Sequence, residues 1–162
     1  MPPDFIEFCA YFNGNQDYFE CHEVLEEYWK KVDPGNKEHL LVGFIQLATG
    51  LYHWRRENMS GASRMLKKAY DKIVKNKAHP FFDYIHFQQL CNDCLKSIDL
   101  IEKQQPFEAF PFIFIHPSFE ALVYEKIISL PAQPQDFLLH KHMLRDRSDI
   151  LRLRKEKRNG RR

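Results

Sequence analysis

The sequence predicts an all-α, multi-helix bundle, and three observations carry that prediction. Apolar residues recur at helical spacing, as in Ala62, Met65, Leu66, Ala69 and Ile73. Capping residues and Pro or Gly turns separate these stretches at helix-length intervals. The short turn Asp33-Pro34-Gly35-Asn36 makes the helices on either side an antiparallel pair.

A first helix is expected from Pro3-Asp4 to about Phe12, with Asp4 at its positive end and Asn13-Gly14 ending it. Asn15 or Asp17 can cap a second helix that runs to about Lys31. The third is expected from about Lys37 to Glu57. Ser60 then caps a fourth, Gly61 to Lys75, and His79-Pro80 precedes a fifth from Phe82 to Gln104. That helix has Ile85, Leu90, Cys94, Leu95, Ile98 and Ile101 on one face.

Pro106, Pro111, Pro117, Pro131 and Pro134 then break residues 107–137 into pieces too short for long helices. Phe112-Ile113-Phe114-Ile115 suits a short strand or an extended apolar strap, and a strap is expected. The last segment, Asp136 to about Lys157, reads as a helix with Leu138, Leu139, Met143, Leu144, Ile150, Leu151 and Leu153. The expected organisation is a helical bundle over 1–104, a Pro-rich strap over 105–139 packed on it, and a basic C-terminal helix and tail over 140–162.

With 162 residues, 44% of them hydrophobic, the chain can bury a substantial core as one domain. No run approaches the roughly 20 apolar residues of a membrane span, and no basic-then-apolar leader opens the chain. A cytoplasmic protein with no membrane association is therefore expected. The net charge of +2 conceals an asymmetry. From His140 onward ten Lys and Arg face Asp146, Asp149 and Glu156, so this tail carries +7 and the rest −5. A solvated terminus is the favoured reading of the tail, and nucleic-acid binding the alternative. Cys91-x-x-Cys94 has no second ligand pair, so two helix-borne thiols, one facing the core, are expected rather than zinc.

The chemistry concentrates in Tyr18 to Trp29. His22, Glu26 and Trp29 lie at i, i+4 and i+7 on one stripe beside Tyr18 and Leu25, while Glu20, Glu23, Glu27 and Lys30 take the opposite side. An imidazole and a carboxylate one turn apart can hold a metal or move a proton. On the third helix His39, Gly43, Gln46, Gly50 and His53 share a narrow arc. Glycine inside a helix costs about 1 kcal/mol against Ala, so two on one stripe imply close backbone approach or room for a bound group.

Counting outward from the Asp33–Asn36 turn brings His22 level with about Gln46 and Glu26 with about Gly43. A polar seam of His22, Glu26, Gln46 and His53 between two helices is the expected site. His22 and Glu26 are the candidate catalytic pair, and Trp29, Gln46 and Tyr18 are candidate ligand contacts. His22, Glu26 and His53 are candidate ligands of a divalent metal, a set that suits catalytic zinc or non-haem iron. The competing reading is a buried hydrogen-bond network that fixes helix register. His22-Glu23-x-x-Glu26 lacks the second histidine of the zincin motif, which is excluded.

These residues resemble the domain-of-unknown-function 309 family. The likeness rests on residues 12–19, on His22-x-x-x-Glu26-x-x-Trp29, on Gly43 to Ala48, and on His53, Asn58 and Gly61-Ala62. It covers about residues 8 to 75 and implies an all-helical bundle with a functional role for the HxxxExxW residues, without naming an activity. Three functions compete: a small metal-assisted hydrolase acting on an unidentified small molecule; a non-catalytic helical module or homodimer in which the seam is structural; and a nucleic-acid binder using the basic tail.

Overall fold

Helix α3, Leu40–Arg55, is the axis of the molecule because most of its surface is apolar. Leu40, Leu41, Phe44, Leu47, Ala48, Leu51, Tyr52 and Trp54 are all buried. A helix apolar on every side must be surrounded. In the computed structural model, which describes residues 2–131, α2 (Tyr18–Val32) and α4 (Met59–Lys75) pack against α3. Helix α1 (Pro3–Asn13) lies on α2 and α6 (Pro117–Ser129), and α5 (Phe87–Glu102) lies on α4. The described residues thus form an all-α bundle of six helices, with a 3-10 turn at Pro80–Asp83. No helix among them is long and apolar enough to cross a membrane.

Glycine sets the α3–α4 spacing. A Cβ on Gly50 would lie 2.7 Å from Leu66 Cδ2 and 3.2 Å from its backbone nitrogen, and one on Gly43 would lie 3.0 Å from Lys72 Cβ. Both glycines therefore face α4, and the small-residue stripe serves close helix packing rather than a ligand opposite α2.

Aromatic rings tie the remaining elements to this centre. Phe5 stacks on Phe81 at 4.0 Å, Phe12 stacks on Phe112 at 3.9 Å, and Phe8 meets Phe44 at 5.4 Å between ring centroids. The extended segment before α6 is held by two polar clasps. Asn13 Nδ2 donates to the Phe112 carbonyl (3.0 Å), and the Phe112 amide donates to Asn13 Oδ1 (2.8 Å). Trp54 Nε1 donates to the Gln105 carbonyl at 2.9 Å. One antiparallel bridge pairs Ile85 with Phe114.

Several boundaries differ from those expected. Helix α3 starts at Leu40, because His39 caps it through Nδ1, which accepts from the Leu41 amide. Asn58, not Ser60, caps α4 by accepting from the Gly61 amide. The fifth helix starts at Phe87 because the Pro80 turn precedes it, and Leu95 on it is exposed rather than in the core. The strap ends at His116. Pro117 occupies the first turn of α6, where its missing N–H costs nothing, and no proline follows until Pro131. The expectation that residues 107–137 hold no helix of length is therefore corrected. Cys91 and Cys94 are both buried on α5, and burial pushes both thiols up. The C-terminal helix expected over Asp136 to Lys157, and the basic tail with its nucleic-acid reading, lie outside the described residues.

Histidine is used repeatedly as a cap. His39, His79, His86 and His116 each precede a helix or turn, and each Nδ1 accepts a backbone N–H, from Leu41, Phe81, Gln89 and Phe119 respectively. Such a bond exists only while Nδ1 carries no proton, and an imidazolium at a helix N-terminus also opposes the macrodipole. Burial, with His39 close by at 5.6 Å, holds His79 below its ordinary value of 6.5.

Two outcomes follow from this packing and capping. Gly50→Ala is expected to lower the unfolding free energy in urea, since overpacking of about 1–3 kcal/mol outweighs a helix-propensity gain of about 1 kcal/mol; a stabilised variant would show that α4 can retreat. Because the folded pKa of His79 is depressed, its contribution is present above pH 6.5 and declines as the pH falls through the folded value. The melting temperature should drop on acidification below pH 6.5, and His79→Asn, which keeps a cap but does not titrate, should flatten the slope.

Candidate functional site

The N-terminal half of α2 is held by the residues that precede it. Asp17 is buried and caps the helix, its carboxylate accepting from the Glu20 amide at 3.1 Å. Its own amide donates to the Tyr11 carbonyl at 3.1 Å. Gln16 takes a left-handed φ of 55°, and its carbonyl accepts from Arg55 Nη1 at 2.9 Å. The start of α2 is thereby tied to the end of α3.

Between these two segments lies a pocket of about 320 Å³. Tyr18, Phe19, His22 and Glu23 line it from α2, and Thr49, Tyr52, His53 and Arg56 line it from α3 and its C-cap. The Phe19 and Tyr52 rings stand 6.3 Å apart, and the Arg56 guanidinium lies 5.4 Å from the Tyr52 ring. Tyr18 is fully buried, and its hydroxyl has no hydrogen-bond partner among the described residues. The Arg55 guanidinium covers the Tyr18 ring at 4.8 Å. Burial pushes the Tyr18 phenol up and pulls Arg55 down, with Tyr18 and Asp17 acting against the second shift.

At the rim, His22 stands between two carboxylates. Its Nδ1 is 3.3 Å from Glu23 Oε1 and its Nε2 is 3.5 Å from Glu26 Oε2. Glu26 also pairs with Lys30 at 3.1 Å. The side chains of His22, Glu23 and Glu26 remain 33%, 44% and 37% exposed, so this is a solvated cluster and not a network sealed in the core. One ligand atom from each lies within 4.8 Å of the others, a spacing that can hold a metal ion.

The structure brings Tyr18, His22 and His53 to one pocket and keeps Glu26 beside His22. It does not bring Gln46 or Trp29 there. Gln46 lies outside the lining, with a buried Oε1 that has no hydrogen-bond partner among the described residues. Trp29 Nε1 donates to the Asn36 carbonyl at 3.0 Å, so this residue fastens the α2–α3 connection. His53 is on the opposite wall, where its Nδ1 lies 3.4 Å from Asn58 Nδ2, and Glu23 is the third group near His22 and Glu26. His39 is a cap.

The reason is one of register. Lys37 to His39 belong to the connection and not to α3, and these three residues shift the partner of His22 from Gln46 to Thr49. Thr49, Tyr52 and Arg56 escape the sequence reading for that reason, whereas Phe19 and Glu23 lie off the His22 stripe on α2 itself. The histidine before Leu40, a capping acceptor, was the signal that could have placed the boundary.

A model of the family described as "Domain of unknown function (DUF309)" matches residues 5–65. The "Uncharacterized protein YpuF" of Bacillus subtilis (strain 168) is 34% identical over 166 residues, covering 96% of this chain and 93% of its own. A similarity of that extent runs through most of residues 132–162 as well. No solved structure matches. The chain belongs to the domain-of-unknown-function 309 family.

The exposure of the rim and the burial of Tyr18 make opposite demands on stability. His22→Ala is expected to change the unfolding free energy by only about 0–1 kcal/mol, as for a solvated ion pair. Tyr18→Phe is expected to be neutral or stabilising, because a buried hydroxyl without a partner costs about 1–3 kcal/mol. Chemical denaturation of both variants checks this; a loss of several kcal/mol in His22→Ala would show that the cluster is structural.

Proposed function

We propose that His22, Glu23 and Glu26 bind a divalent metal ion at the rim of the α2–α3 pocket, that the pocket beside them holds a small molecule, and that the reaction class is metal-assisted hydrolysis. The observation behind this reading is the placement of three nitrogen and oxygen ligand atoms within 4.8 Å of one another, with His22 and Glu23 also lining the pocket. One imidazole and two carboxylates suit zinc or a harder first-row ion. Three protein ligands leave coordination positions open to water, as in hydrolytic metal sites.

The other residues have separate tasks. Phe19 and Tyr52 form the apolar walls, Thr49 adds a hydroxyl, and Arg56 offers positive charge to an anionic group on the bound molecule. His53 presents an imidazole to that molecule from the opposite wall. Glu26 must exchange its pairing with Lys30 for the ion, and His22 must be neutral, so binding weakens in acid.

A second reading, a non-catalytic helical module or homodimer, is favoured by the exposed apolar face of α6, where Tyr124 and Ile128 are 64% and 69% exposed. Such a module would need neither His22 nor the pocket.

Titration of protein purified without chelator separates the two. With zinc or manganese at about 100 times the dissociation constant, the stability of the wild type should rise by about 2.7 kcal/mol. His22→Ala and Glu26→Gln should abolish that rise, and His53→Ala should keep most of it. Less than about a tenth of an equivalent of co-purified metal, together with no thermal shift on titration, overturns the metal reading.

A further inference from the structure

Helix α6 has two apolar faces, and only one is buried. Phe119 and Val123 lie in the core, with Phe119 5.7 Å from Phe5 of α1. Pro117, Ala121, Tyr124 and Ile128, at i, i+4, i+7 and i+11, form a second stripe that remains in solvent. Beside it runs a groove of about 540 Å³ whose other wall is Phe112 to Phe114 of the strap. Ile113 and Ile115 extend the exposed apolar surface at 45% and 51%. At 100° per residue, Glu120 and Glu125 flank the stripe on either side. A contiguous exposed apolar surface with a polar border marks an interaction site.

Three facts about the chain indicate what covers it. The sequence continues for 31 residues beyond Pro131, directly after the C-terminal end of α6. In that stretch Leu139, Met143, Ile150 and Leu153 repeat at i, i+4, i+11 and i+14, and Lys141, Arg145 and Arg152 fall on the opposite side. Pro131 to Gln135 is a connection of the length that joins antiparallel helices. Charge points the same way: residues 140–162 carry +7 and the remainder −5, so the tail is attracted to the body while two bodies repel. The tether also raises the effective concentration of the segment into the millimolar range, about what a short flexible link provides.

We propose that the exposed face of α6, with the groove beside it, is the docking surface for the chain's own residues 136–157. An antiparallel arrangement centred on the Pro131–Gln135 connection sets Leu139 level with Ile128, Met143 with Tyr124, and Ile150 with Pro117. The inference is independent of the metal site, which lies on α2.

Hydrogen exchange followed by mass spectrometry on the full chain, in the wild type and in the Tyr124→Lys/Ile128→Lys double variant, tests it. Both positions are solvent-facing, so the variant should keep its helical circular dichroism. In the wild type the amides of residues 138–153 should exchange at least about tenfold more slowly than an unprotected chain, and the variant should lose that protection. Light scattering should give a monomer for both. Unprotected exchange in the wild type overturns the proposal, as does protection that survives the double substitution. A wild-type dimer that the substitutions split, with tail exchange unchanged, overturns it in favour of a second copy on this face.

Discussion

The rest of the structure depends on one constraint, that helix α3 has almost no face that tolerates water. Its apolar residues point in every direction, and each exposed side chain of that size would forfeit roughly 1.5–3 kcal/mol of burial. The neighbouring helices are placed by this demand. Helix α4 can come close because Gly43 and Gly50 remove the side chains that would hold it away. Helix α2 covers another side, and the phenylalanines of α1, the Pro80 turn and the strap close what remains. The Asn13–Phe112 clasp matters here because it satisfies backbone groups of an extended segment that packs on this core, where unmet polar groups would be costly.

The candidate site arises where that constraint ends. Toward its C-terminus α3 changes character, and Thr49, His53 and Arg56 appear on the side facing α2. The pocket lies between that stretch of α3 and the start of α2. Beneath it, Arg55 and the buried Asp17 tie the two helix ends together, so the walls are held by groups that need not touch a ligand. The cluster of His22, Glu23 and Glu26 is part-exposed, and Glu26 there pairs with Lys30. At 33%, 44% and 37% exposure, His22, Glu23 and Glu26 are not sealed in the core.

Other polar residues that attract attention in the sequence turn out to be structural. Four histidines cap helices or turns through Nδ1, a role usually taken by Ser, Thr, Asp or Asn. Trp29 of the HxxxExxW motif secures the α2–α3 connection through its indole N–H. Spacing places such residues on a helix face, but it does not say which neighbour that face meets.

The all-α class, the first two helices almost to the residue, and the His22–Glu26 pair are legible before any tertiary contact is known, because each follows from local periodicity, capping and i, i+4 geometry that a single helix already contains. Helix α6 was hidden by its prolines, although a proline in a first turn permits what one in mid-helix forbids. Packing between helices sets which way Gly43 and Gly50 face, leaves Gln46 and Trp29 outside the pocket, and puts His53 on the wall opposite His22. The physical reason is that the angular position of one helix against another depends on the length of the connection between them. Three residues misassigned at Lys37 to His39 shift every cross-helix partner by nearly a turn, and no pattern within either helix records that shift.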